Sequence, residues 1–254
     1  MSSGFFTAFG VELKKNRHRL FFMLPGGFLL VLMLWSGYSN HNLSPERQAQ
    51  GYQAMLYELP VLNCILMPMY LAVIASRLCD MERKGDTLKL LCTLEEKHQF
   101  YDCKYIHEFI YLFLFAVGEG LLLPLFGRWY GYTDTLSLQL WLLHVICLLV
   151  SGASVLTLQH ISSLLAKNQM FPLFLGLAGS FIGLFTLFFP NSIGRLILWS
   201  YFGQFLPYRM DYDPVTRVTV FSPLPFPVRV FVLFSLFTAV FYAACRQLFL
   251  KKEV

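Results

Sequence analysis

The run Tyr105-Ile-His-Glu-Phe-Ile-Tyr-Leu-Phe-Leu-Phe-Ala-Val-Gly-Glu119-Gly-Leu-Leu-Leu-Pro-Leu-Phe126 decides the fold class. It is long enough to cross a hydrocarbon core about 30 Å thick as a helix, and between Phe109 and Phe126 its single acidic or basic residue is Glu119. Residues 20–38, 59–79, 140–162, 170–189 and 226–250 share this character. Six such stretches occupy about half of the 254 residues and leave no room for a large soluble domain. The composition agrees, with 56% hydrophobic and only 14% charged residues, against about 25% charged in soluble domains. Disorder, collagen and a disulfide scaffold are excluded by the long apolar runs and by six scattered cysteines. The expected fold is all-α: an integral membrane protein with six transmembrane helices in a single domain over residues 1–254.

Two flanking regions have their own pattern. Phe5, Phe6, Phe9 and Leu13 recur at helical spacing with Glu12, Lys14, Lys15 and Arg17 on the other arc, which predicts an interfacial helix over residues 1–19. Trp35-Ser-Gly-Tyr38 is a poor cleavage site, so the first span is expected to be uncleaved. Within the external segment 191–225, residues 193–206 are apolar and carry Trp199, Tyr201 and Phe202, yet are too few to span. A re-entrant or interfacial helical segment before the last span is expected there.

With six crossings, fourteen of the twenty Lys and Arg residues fall on one side, so both termini are expected in the cytoplasm. A seventh crossing would put Arg246, Lys251 and Lys252 outside. The basic excess follows membrane sidedness and implies no nucleic-acid partner. The chain has no phosphate-cradling loop, no H-E-x-x-H or C-x-x-C pair and no G-x-S-x-G elbow. No catalytic residues and no metal site are expected, and His98 and His107 are read as surface histidines.

Charge, scarce elsewhere, crowds into the cytosolic stretch 80–104, where eleven of about 25 residues are charged. Gly85 separates the end of the second span from a segment in which Leu88, Leu91 and Leu94 recur at three-residue spacing. A short amphipathic helix of mixed charge suits the groove of a soluble partner; a connector resting on the membrane surface is the other reading.

Glu82-x-x-Gly85-x-Thr87 followed by Leu90-Leu91, with an aromatic and Lys104 ahead of the next span, resembles the coupling-helix region of type-2 ABC exporter permeases. The small size and aromatic richness are most similar to lantibiotic self-immunity permeases. The turn Leu94-Glu-Glu-Lys-His98 departs from the Pro and Arg often found there. The resemblance implies a non-catalytic permease subunit in a bacterial cell membrane, coupled through Glu82, Gly85, Thr87, Leu88, Leu90, Leu91 and Leu94 to a separate ATPase. That partner would hold the ATP and Mg, and this chain no cofactor. It further implies a second permease subunit, identical or related, and an antimicrobial peptide as cargo.

Glu119 lies between Gly118 and Gly120, where an ionised carboxylate costs roughly 2.5–3.5 kcal/mol near mid-bilayer and must face protein, water or a counter-charge. It is a candidate contact for a cationic peptide or a polar hinge, or else an interhelical hydrogen-bonding group. Gly176, Gly179 and Gly183 share one face and permit close packing, within the subunit or at a dimer seam. The aromatic and charged residues from Arg195 to Arg217 read as an interfacial belt in contact with lipid, or as a gate contacting peptide. Two other classes stay open: an integral membrane enzyme acting on lipid, which requires His, Asp and Glu clustered at one depth, and a sensor or assembly factor without a transport cycle.

Overall fold

The computed structural model describes residues 10, 14, 23–40, 44–84, 96–215 and 219–251; for residues 81–84 it describes the backbone alone. The helices are α1 (Met23–Ser39), α2 (Pro45–Gln48), α3 (Gly51–Lys84), α4 (Lys97–Tyr130), α5 (Leu138–Leu165), α6 (Met170–Phe185), α7 (Asn191–Gly194), α8 (Tyr201–Gln204) and α9 (Val228–Lys251). Helical 3-10 turns at Thr186–Phe188 and Leu198–Ser200 extend α6 and precede α8. Among the described residues five helices are long and apolar enough to cross a membrane: α3, α4, α5, α6 with its 3-10 turn, and α9. The first apolar helix, α1, has 17 described residues. The chain is thus a mostly helical, multi-pass membrane protein. The interfacial helix expected over residues 1–19 lies, save for positions 10 and 14, outside the described residues.

Helices α3 and α4 have 34 residues each, about 51 Å at 1.5 Å per residue, well beyond a hydrocarbon core of about 30 Å. Hydropathy finds only their apolar middles, because the outer turns carry Glu58, Arg77, Lys97, Asp102 and Arg128. The core follows the helical period along α3 (Leu56, Leu59, Met67, Leu71, Ile74, Leu78) and meets Leu112, Phe115 and Leu123 of α4 and Leu148, Val155 and Leu156 of α5. Pro68 has no N–H for the Cys64 carbonyl, and Gly183 brings α6 against that oxygen: a Cβ there would sit 3.0 Å from it. By contrast, only 11% of the apolar window of α9 is buried.

The end of the bundle where α3 begins is knitted by polar contacts. Asp134 accepts from the backbone N–H of Tyr52 (2.9 Å) and Gln53 (3.3 Å), capping the N-terminus of α3. The phenol of Tyr132, raised in pKa mainly by burial, stays protonated and donates to Asn40 Oδ1 at 2.9 Å.

The fold is mostly helical, as expected, and adds one short hairpin. Strands β1 (Tyr208–Tyr212) and β2 (Thr219–Pro223) pair antiparallel, from Tyr208 opposite Pro223 to Tyr212 opposite Thr219. Tyr208, Met210 and Tyr212 alternate with polar residues, and prolines at 207, 223, 225 and 227 stop the strands before they lengthen. Residues 193–206 fold as short helical turns packed on α6 and α5, with Trp199 seated against Gly179 and Gly183.

Candidate functional site

Along α4, Lys104, Glu108, Tyr111, Phe115, Glu119, Leu122 and Phe126 recur every three to four residues and all are buried. This stripe places two carboxylates inside the helix bundle, three helical turns apart on one face, about 16 Å along the axis.

At the outer one, Asn63 Nδ2 of α3 donates to Glu119 Oε1 (2.8 Å) and Oε2 (3.1 Å), and His144 Nε2 of α5 lies 2.8 Å from Oε1. At the inner one, His160 Nδ1 of α5 lies 2.9 Å from both oxygens of Glu108, while Cys79 Sγ of α3 donates to Oε1 at 3.9 Å. Each station takes a carboxylate from α4, an imidazole from α5 and a third polar group from α3. Glu108, Glu119 and His160 are 0% exposed, and each acid has protein partners among the described residues, as a polar group buried among membrane-spanning helices requires. Beside the inner station, Lys104 Nζ donates to the Leu78 carbonyl at 3.2 Å and the Tyr101 ring stands edge-on to His160 at 4.5 Å.

The two stations differ in access. A cavity of about 40 Å³ lies between α3, α5 and the turns around α8, bordered by Asn63 and His144 among apolar residues such as Pro60, Phe202, Phe205 and Phe226. Asn63 Oδ1 faces no hydrogen-bond donor among the described residues. Glu119 therefore stands behind the cavity wall, orienting the amide and imidazole that border it. Ligand atoms of Cys79, Glu108 and His160 all lie within 4.8 Å of one another, a donor set of the kind zinc takes, but this trio is enclosed and its carboxylate is already bonded to imidazole.

Several expectations can now be located. Glu82 falls in the last turn of α3, and Gly85, Thr87, Leu88, Leu90, Leu91 and Leu94 lie outside the described residues. The helices on either side, α3 and α4, both lead into the 85–96 connection. His98 is at the surface, its side chain 42% exposed and 3.2 Å from Glu96. His107, expected at the surface, is instead buried, because it lies on the side of α4 that packs inward, near Tyr111. The glycine stripe packs within the subunit: Gly176 on Ala72 and Pro68, Gly179 on Trp199, Gly183 on Cys64 and Trp199. The clusters of acid and imidazole that sequence could not assemble do exist. Their signal was the shared face of Glu108 and Glu119, whereas the registers of His144, His160, Asn63 and Cys79 depend on how three helices are rotated against one another.

Fold and site define a polytopic helical membrane protein whose buried polar groups tie helices together, with no exposed catalytic constellation among the described residues. A family model for ABC-2 family transporter proteins matches residues 8–183, and the chain belongs to that family. It is accordingly a permease component of a transporter. Neither the curated proteins nor the solved structures contain a match to it.

Proposed function

We propose that the chain is the permease subunit of an ABC exporter that expels an amphipathic antimicrobial peptide, such as a lantibiotic, from a bacterial cell membrane and so protects the cell. A separate ATPase binding ATP and Mg docks on residues 80–104, with Glu82, Gly85, Thr87, Leu88, Leu90, Leu91 and Leu94 forming the contact. Membership of the ABC-2 family carries this reading, because its permeases work with an ABC ATPase. The long helices α3 and α4 support it: flanking the docking segment, they turn a push from nucleotide-driven closure into rigid-body movement of two helices.

The path runs between this chain and a second permease, identical or related; the cavity beside Asn63 and His144, about 40 Å³, holds a water molecule or two. Glu119, through Asn63 and His144, sets the polar character of the external wall next to that path. Both termini lie in the cytoplasm, and residues 193–206 sit at the outer interface. The test is survival: a sensitive bacterial host producing this chain with a cognate ABC ATPase tolerates more lantibiotic than one lacking either subunit. Unchanged sensitivity with both subunits in the membrane overturns the peptide assignment.

A further inference from the structure

A second cleft, of about 380 Å³, opens between the external turns and α9, lined by Arg195, Leu198, Tyr201, Leu233, Phe234 and Phe237 among others. Its floor is rigid: the Tyr201 and Phe234 rings stack with centroids 3.5 Å apart and planes within 7°. The Tyr201 hydroxyl donates to the Arg195 carbonyl at 2.9 Å, tying the arginine's backbone to that floor. The guanidinium itself makes no ion pair or hydrogen bond among the described residues, while Arg209 and Asp211 nearby in sequence pair with each other at 2.8 Å. On the side of α9 the wall is greasy and open, with Leu233 67% and Phe237 48% exposed.

One cation at the mouth of an apolar cleft selects an amphipath with an anionic head and a hydrocarbon tail. Guanidinium is the side chain best matched to a phosphate, and it repels a cationic peptide. From Val228, where α9 begins, to Phe237 is about 14 Å along the helix, a depth suited to an acyl chain lying below a headgroup. We propose that this cleft binds a phospholipid of the outer leaflet, its phosphate on Arg195 and one acyl chain against Leu233, Phe234 and Phe237. The inference stands apart from the identity of the exported cargo.

Native mass spectrometry of the purified full chain with added phosphatidylglycerol tests it, beside a diacylglycerol of the same chains and inorganic phosphate alone. Parent protein is expected to retain phosphatidylglycerol at least about tenfold better than Arg195→Gln, the ratio set by losing a charge-assisted hydrogen bond, with Arg195→Lys in between. Diacylglycerol should bind parent and Arg195→Gln alike and weakly. Equal phosphatidylglycerol retention by parent and Arg195→Gln overturns the proposal, as does diacylglycerol binding as well as phosphatidylglycerol, or phosphate binding as well as the lipid. A photocrosslinking amino acid in place of Phe237 gives an independent reading in membranes. Lipid adducts are expected; capture of peptide or of a second copy of the chain in their place rejects the lipid.

Discussion

Replacing Glu119 by alanine removes both carboxylate oxygens and leaves Asn63 Nδ2 and His144 Nε2 facing each other across an enclosed space, where the side chains of Glu119 and His144 are 0% and 4% exposed. Three contacts are lost, at 2.8, 3.1 and 2.8 Å. Hydrogen bonds between membrane helices contribute about 0.6 kcal/mol on average and at most about 1.7, so the loss is about 2 kcal/mol and no more than roughly 5. At 2–4 °C per kcal/mol for a chain of this size, Glu119→Ala should lower the melting temperature in detergent by about 4–8 °C. Glu119→Gln keeps an oxygen that accepts from Asn63 and should fall less than half as far. Because His144 acts through the carboxylate, adding His144→Ala to Glu119→Ala should cost almost nothing more. Size-exclusion chromatography after heating, followed by fluorescence of a fused reporter, measures these four proteins and His144→Ala alone. A melting temperature for Glu119→Ala within about 1 °C of the parent, or full additivity of the double mutant, would refute the reasoning.

Three further perturbations probe the frame around this site. A Cβ at Gly176 would collide with Ala72 Cβ and come within 2.9 Å of the Pro68 carbonyl, so Gly176→Ala should destabilise by about 1–3 kcal/mol, whereas Gly26→Ala, with nothing within 4 Å, should be silent in the same melting assay. Asp134→Ala should cost about 1 kcal/mol through the lost cap on α3, and accelerate hydrogen exchange at the amides of Tyr52 and Gln53. Where the start of α4 meets the end of α9, Arg246 binds Asp102 through Nε (2.7 Å) and Nη2 (2.8 Å) while the Tyr242 hydroxyl donates to the same carboxylate at 2.7 Å. Arg246→Ala should therefore lose about 1 kcal/mol, a deficit that shrinks in high salt; a deficit indifferent to salt would show that packing, and not charge, holds these ends together.

Hydropathy made the spanning helices legible because the bilayer imposes a length and a composition on them. It could not reach the outer turns of α3 and α4, whose stability comes from protein contacts such as the Asp134 cap and not from lipid. The β1–β2 hairpin escaped for a different reason: two five-residue strands bracketed by prolines look like irregular loop in one dimension, and only their pairing makes them strands. Glu119 stood out at once as a carboxylate in an apolar run, yet its partners did not, since Asn63 and His144 look like ordinary polar residues until α3 and α5 are rotated into register. His107 and Glu108 make the same point: neighbours in sequence, both are buried, but only Glu108 shares the face that meets His160. For the coupling residues from Gly85 to Leu94 the assignment rests on sequence pattern and family membership.

The central claim is that this chain moves because a soluble ATPase grips residues 80–104, and co-purification measures that directly. Affinity-tagged parent chain, expressed in its native host, is expected to bring an ABC ATPase down in detergent. Leu91→Asp, which puts a charge into the Leu88, Leu91 and Leu94 sequence pattern of the proposed docking segment, should lose the ATPase while the permease itself still elutes as a folded species. If no ATPase accompanies the parent, or if Leu91→Asp retains it undiminished, the account of this chain as an ATP-driven permease coupled through that segment is contradicted.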